Sequence, residues 1–258
     1  MQGNGKHAGI VLHSDMVLIK NITVALGVDE KTLREQMFWE ADQFLISSLS
    51  DYILEYVKLP LQTQSGNCIY ILILVRKGII KLIRSLLKKV GLSIHNIDVD
   101  LFSNIRTLLI NYELSKKENS VFIDVQKEYL KLVFIRQNEY YWAHRISLRS
   151  QNANAEFLSP SEIVPSLLKE FRRVIFGHRL GRKIEDLDRI FLAGSGSVRK
   201  IAEDLTNTIS VPVEVLNPFR RLKVSETVER SKEYIRFPEL FGASVGIALK
   251  MVPALAGS

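Results

Sequence analysis

A single cysteine, Cys68, stands in the 258 residues, so no intramolecular disulfide can form. It lies in the apolar run CIYILILV, where a reduced, buried thiol is expected, and a reducing compartment follows. No apolar run approaches the ~20 residues that cross a bilayer, and no N-terminal stretch orders a basic flank, an apolar core and a small-residue cleavage site. A cytoplasmic protein is the expectation. The histidines His7, His13, His95, His144 and His178 are scattered, with no HExxH and no partner cysteine, so no metal is expected. A nucleophile elbow is missing as well, because GSGS at Gly194 to Ser197 is not G-x-S-x-G. What remains is ordinary globular composition: 47% hydrophobic and 24% charged residues exclude disorder and leave room for one large domain or two small ones. Lys+Arg number 35 against 28 Asp+Glu, and the net +7 favours anionic partners without choosing among them.

Residues 1–100 read as a small α+β unit. After the polar, glycine-containing start MQGNGKH, Ala8 to Leu12 and Val17 to Leu26 have strand patterning, separated by a Ser14-Asp15 turn. Asp29 is placed to cap a helix in which Leu33, Met37, Ala41 and Phe44 make one apolar face. Strands Tyr52 to Leu59 and Cys68 to Val75 flank the loop QTQSGN. An amphipathic helix, Gly78 to Val90, stops at Gly91, which suits a left-handed cap, and Ile94 to Val99 is a short strand. Residues 101–118 are read as a helix connecting this unit to the next.

Residues 119–258 have another rhythm. Ser120 to Val125, Tyr129 to Arg136 and Glu139 to Ser147 are strands with very short connections, hence an antiparallel meander. A helix from Ser161 to Phe176 aligns Ile163, Leu167, Phe171 and Val174. Strand Arg189 to Ala193, helix Ser197 to Thr208, strand Val213 to Leu216 and a last helix around Leu240 to Met251 follow. A meander feeding two right-handed β-α-β crossovers is the order of a ribonuclease H-like domain, so the fold class is α/β.

Seven collinear stretches then resemble one family. They are Ala8 to Ile22, LREQMFWEADQFLISSLSDYILEY, KKVGLSIHNIDVDLFSNIR, NSVFIDVQKEYLKLVF, RIFLAGSGSVRKIAEDL, VEVLNPF and FGASVGIAL, and in order they span almost the whole chain, from Ala8 to Leu249. The family is PilM, the actin-like type IV pilus assembly protein, related to FtsA and GspL. The resemblance implies an actin-like lobe for the second half and the inserted subdomain called 1C for the first. Chains of the family open with a strand pair carrying the first phosphate loop, with its D-I-G motif, so the resemblance implies an N-terminally shortened form in which that loop is missing.

The resemblance places vestigial nucleotide-binding positions at Asp124, Gly194 and Gly196. Asp124 matches the acidic position of the second phosphate loop, but Gln126 stands where the family has glycine and no Ser or Thr hydroxyl follows. A glycine is wanted there because a Cβ would block phosphate oxygens from the backbone N–H groups. The Gly194-Ser195-Gly196 turn is intact, with Ser197 placed to cap the next helix. By the same resemblance, a helical subdomain of the family is replaced by the short connection Leu148 to Pro160. Phosphoryl transfer rests on positioning and electrostatics, so these losses imply a pseudo-ATPase with no cofactor, ATP being disfavoured. From the residues alone, the two glycines are read first as closing a tight turn and second as a nucleotide turn, and Asp124 is read as capping a turn at least as readily as binding a metal.

Two basic groups stand out. Lys77, Lys81, Arg84 and Lys88 form a stripe opposite Ile79, Ile83, Leu86 and Val90, which is read first as a solvated face and second as a seat for anionic lipid or an acidic partner. Arg172, Arg173, His178, Arg179, Arg182 and Lys183 cluster at a helix end, where the dipole favours cations. Few aromatics accompany them, so nucleic acid is not an expected partner. Phe38, Trp39, Tyr140, Tyr141 and Trp142 are read as core or subdomain contacts.

The function implied by resemblance is a scaffold, not an enzyme, on the inner-membrane platform of a type IV pilus or related secretion system. Its implied partner is the cytoplasmic segment of a PilN-like bitopic membrane protein, with peripheral membrane association through partners; a homo-oligomer is compatible with the sequence. Two rivals stay open. One is an actin-like ATPase or nucleotide-binding protein completed by another chain or an upstream segment. The other is a filament former like FtsA, which would carry a C-terminal amphipathic helix that MVPALAGS is too short to supply.

Overall fold

The computed structural model describes residues 6–63, 65–150, 156–177, 181–230 and 236–252. The chain divides into two compact units, Met1–Ser103 with Gly246–Ser258, and Asn104–Val245. The last helix therefore contributes its second half to the first unit, whereas the sequence reading kept residues 119–258 together.

In the first unit, β1 (His7–Leu12) and β5 (Ser93–Val99) pair in parallel, while β2 (Val17–Val24), β3 (Tyr52–Gln62) and β4 (Cys68–Arg76) form a separate antiparallel sheet in the order β2-β4-β3. Residues 1–100 thus carry two sheets. Helix α1 (Glu30–Asp42) begins where Asp29 accepts a hydrogen bond from the Thr32 backbone N–H at 3.0 Å. Its Met37 and Ala41 are fully buried against Ile22, Val24, Tyr52, Leu72 and Leu74. Phe44 does not join this face: the helix stops at Asp42, and the half-exposed Phe44 ring receives the Lys20 ammonium at 3.0 Å. Cys68 is buried and free.

Helix α2 (Lys77–Lys89) ends as its sequence dictates. Gly91 takes φ +75°, its N–H donates to the Lys88 carbonyl, and the Leu92 N–H donates to Leu87, closing a Schellman motif. The inward face differs from the one expected. Ile80 is buried, with Ile79, Ile83 and Leu87 half-buried, whereas Leu86 and Val90 are exposed.

Helix α3 (Asp100–Asn111) and helix α7 (Gly242–Met251) run through the boundary between the units. Within the first unit, Gly246 faces Ser103 so closely that a Cβ would stand 1.9 Å from its carbonyl oxygen. Ile247 and Met251 close over Gly9 in the same way, a Cβ there meeting the Met251 sulfur at 2.5 Å. These close contacts are why the end of the chain belongs with its beginning.

The second unit is built on a five-stranded sheet in the order β10-β9-β6-β7-β8. Strands β6 (Asn119–Val125), β7 (Tyr129–Arg136) and β8 (Glu139–Ser147) form the meander, and Gln137 and Asn138 both take positive φ in its second turn. Strands β9 (Arg189–Gly194) and β10 (Val213–Val215) extend it in parallel beside β6. Helix α4 (Pro160–Gly177) starts from Ser159, whose N–H and hydroxyl both donate to the Glu162 carboxylate. Its Ile163, Leu167, Phe171 and Val174 pack with Ile201 and Leu205 of α5 (Val198–Thr206) against Ile123, Leu132 and Ile190. The opposite face of the sheet carries Phe191, with Tyr112 edge-on at 4.9 Å. A single turn of helix, α6 (Glu226–Glu229), precedes α7.

Candidate nucleotide-loop corner

Asp124 and the two glycines are seventy residues apart, and the sheet brings them together. Strands β6 and β9 run parallel in register, Asp124 opposite Ala193 and Val125 opposite Gly194. Both strands end at this point, so the corner lies at the carboxyl ends of parallel strands, where α/β sheets place ligands.

Gly194 leaves β9 at φ +119°. A Cβ at this position would stand 2.2 Å from the Val125 carbonyl oxygen and 2.8 Å from Asp124 Oδ1, so only glycine lets the turn pass over the end of β6. At Gly196 a Cβ would meet the Val125 side chain at 2.8 Å. The backbone donors of the turn are directed at the neighbouring strand. Ser195 and Gly196 N–H groups both donate to the Val125 carbonyl, at 2.9 and 3.1 Å. In a phosphate cradle such donors point at the anion.

Side chains lace the corner further. The Ser195 hydroxyl donates to Gln126 Oε1 at 2.9 Å, and Gln126 Nε2 donates to Asp124 Oδ1 at 2.7 Å. The Gln126 N–H donates to the Tyr129 carbonyl across the hairpin. Gln126, which stands where the resemblance expects glycine, therefore bridges the acidic position to the glycine turn. Ser197 occupies the N-cap position of α5 but makes no side-chain cap hydrogen bond, contrary to expectation; its ψ of 49° lies outside the extended geometry typical of a cap.

The sequence reading missed Lys131. It is buried like Asp124 and stands directly across from it on β7. Opposite charges at such positions stabilise by about 0.2–1 kcal/mol. The signal was available, because a hairpin that pairs Val125 with Leu130 across the four residues 126–129 also pairs Asp124 with Lys131. Nearby, the Arg145 guanidinium lies 4.0 Å from the Tyr129 ring centre. Chemically, the corner is a polar network whose donors and acceptors are largely directed at one another.

The other singled-out residues scatter. Arg173 pairs with Glu170, which also meets His144, while the Arg182 and Lys183 backbone N–H groups donate to Asp186 and hold its carboxyl below the usual range. His178 and Arg179 lie outside the described residues, as do 151–155 of the Leu148 to Pro160 connection, Gln64 of the QTQSGN loop, the first five residues and residues 253–258. Tyr140 is buried, and Tyr141 and Trp142 pack on the second unit's core. Phe38 and Trp39 do not bury as expected; Trp39 is 61% exposed, since α1 turns Met37 and Ala41 inward instead. No helix among the described residues is long and apolar enough to cross a membrane.

No family model matches the sequence, and no curated protein matches it either. Among solved structures, the chain is similar to the PilM-PilN type IV pilus biogenesis complex, with a TM-score of 0.73, 20% identity, 96% of this chain covered and 80% of that chain. The fold is actin-like. A Bacteroides thetaiotaomicron protein with an actin-like ATPase fold and unknown function overlays with a TM-score of 0.48 at 14% identity, over 81% of this chain and 68% of that one. The cytoplasmic domain of EpsL, an inner membrane component of the Vibrio cholerae type II secretion system, gives 0.42 at 7% identity, over 81% and 77%. Within the actin-like fold, the corner described above falls where β6 and β9 end, and the ribonuclease H-like strand order expected from the sequence is the order found.

Proposed function

We propose that this chain is a non-enzymatic, actin-like scaffold on the cytoplasmic side of an inner-membrane platform of the type IV pilus or a related secretion system. It binds a cytoplasmic segment of a PilN-like bitopic membrane protein and reaches the membrane through that partner. The observation that carries this reading is the overlay on the PilM-PilN complex across 96% of the chain. An extended peptide binds through main-chain hydrogen bonds and side-chain pockets, which needs no nucleotide chemistry. The absence of ATP hydrolysis is supported by the corner itself: Ser195 and Gly196 N–H groups turn to Val125, and Gln126 occupies the line from Asp124 to Ser195.

Two measurements test the reading. Isothermal titration with MgATP should give no micromolar binding and no hydrolysis; either one would favour the rival, an ATPase completed by another chain. Capture from solubilised membranes should recover a bitopic protein of pilus or secretion machinery, and recovery of partners unrelated to both would end the scaffold assignment.

A further inference from the structure

The exposed side of α2 combines two features that the sequence reading kept apart. Residues 76–90 contain six cations (Arg76, Lys77, Lys81, Arg84, Lys88 and Lys89) and no aspartate or glutamate. Two are engaged locally: Lys77 donates to the Ser50 carbonyl at 2.7 Å, and the Arg76 guanidinium lies over the Tyr52 ring. Lys81, Arg84, Lys88 and Lys89 make no ion pair among the described residues, and with Ser85 they line one open depression of about 480 Å³. Beside them run Leu82, Leu86 and Val90, which are 61%, 52% and 69% exposed. Spaced by four, they form a single row ~12 Å long on the helix surface.

The helix thus has three sectors: Ile80, Ile83 and Leu87 turned inward, a leucine-valine row in solvent, and a band of unneutralised cations. A merely solvated face has no reason to place three large apolar side chains at more than half exposure in one row. We infer that α2 is a direct contact with an anionic lipid bilayer, lying in the interface with the Leu82, Leu86, Val90 row entering the acyl boundary and Lys81, Arg84, Lys88 and Lys89 reaching headgroup phosphates. Long cationic side chains suit this arrangement, since their aliphatic stems cover apolar surface while the charge stays in water. Charge complementarity selects the lipid: the band has only one sign, and the chain as a whole carries +7. This inference goes beyond the scaffold reading and needs no partner protein.

The test is cosedimentation of the full chain with vesicles of phosphatidylcholine alone and of phosphatidylcholine mixed with phosphatidylglycerol. Binding is expected only to the anionic vesicles and should weaken as salt rises. Each basic residue near such a surface is worth about a five-fold change in partitioning, so Lys81→Gln with Arg84→Gln should lower it about 25-fold. Leu86→Ser should also lower it, and unchanged thermal unfolding of these surface variants would show that the fold is intact. Because Cys68 is buried, a solvatochromic dye can be placed selectively on Leu86→Cys, and its emission should shift to the blue with anionic vesicles. No sedimentation with anionic vesicles, equal binding by the variants, or retention on an acidic polypeptide with vesicles ignored would each overturn the inference. None of these results bears on capture of a bitopic partner, so the two readings fail separately.

Discussion

Ser195 Oγ lies 2.9 Å from Gln126 Oε1, and the same glutamine's Nε2 lies 2.7 Å from Asp124 Oδ1, so one side chain ties the end of β6 to the turn after β9. A bridge of this kind gives each partner a measurable share of stability. Gln126→Ala is expected to destabilise by about 1–2 kcal/mol and Ser195→Ala by about 0.5–1 kcal/mol. In a double-mutant cycle read by urea unfolding, the pair should couple by about 0.5–1 kcal/mol. Strict additivity would mean that the bridge does not form in solution.

Gly194→Ala tests why the turn needs glycine. The positive φ and the 2.2 Å approach of the Val125 carbonyl both act against a Cβ, so a loss of about 3 kcal/mol or more is expected. Gly78 gives the contrasting result. It lies in the first turn of α2 with nothing within 4 Å of its would-be Cβ, and Gly78→Ala should stabilise by about 0.5–1 kcal/mol. Thermal or urea unfolding of the two variants should move in opposite directions.

The contrast between α4 and α2 explains how much of the fold was legible. In α4, Ile163, Leu167, Phe171 and Val174 share one stripe, and all four are buried, because sheet and helix α5 enclose a single broad face. In α2 the apolar residues cover an arc wider than the face that turns inward, so periodicity alone does not say which part of that arc is buried, and Leu86 and Val90 were placed on the wrong side. Glycine 194 could be seen as a turn residue, but the donors of that turn could not be assigned without the register of β6 against β9. Lys131 was hidden for the opposite reason: a lone lysine in the strand YLKLVFIR looks solvent-facing until the hairpin is paired residue by residue. Phe44 and Trp39 show the same limit: helical spacing was carried to Phe44, beyond the end of α1 at Asp42, and aromatic character alone put Trp39 among the core or subdomain contacts.

Asp29 gives a pH prediction. Its carboxyl is held below the ordinary value of 3.8 by the Thr32 hydroxyl first and the Thr32 backbone N–H second, both of which favour the ionised form. A carboxyl whose folded value is depressed contributes stability that is present above its unfolded value and is lost as pH falls through the folded one. The Asp29 contribution should therefore be complete above about pH 5 and disappear on acidification below 3.8. Asp29→Asn keeps a capping oxygen and removes the titration. The difference in melting temperature between the two proteins should shrink as pH is lowered through this window, and a constant difference would remove Asp29 from the acid response.

Gly246 is the most restrictive position of α7. A Cβ there would stand 1.9 Å from the Ser103 carbonyl oxygen and 2.5 Å from its carbonyl carbon, and both are main-chain atoms that no rotamer change can relieve. Gly246→Ala must displace the α3 backbone at Ser103, so its intrinsic gain in helix propensity is overwhelmed and a loss of about 3 kcal/mol or more is expected. General sensitivity of the helix is a separate matter, and the neighbouring residue measures it. Ile247 is buried, and Ile247→Val removes one methylene with no backbone clash, for about 1 kcal/mol. A Gly246→Ala loss no larger than that of Ile247→Val in urea unfolding would show that the two helices do not approach this closely. A loss several times larger would fix the crossing at Ser103 as the reason a glycine stands at this point of the last helix.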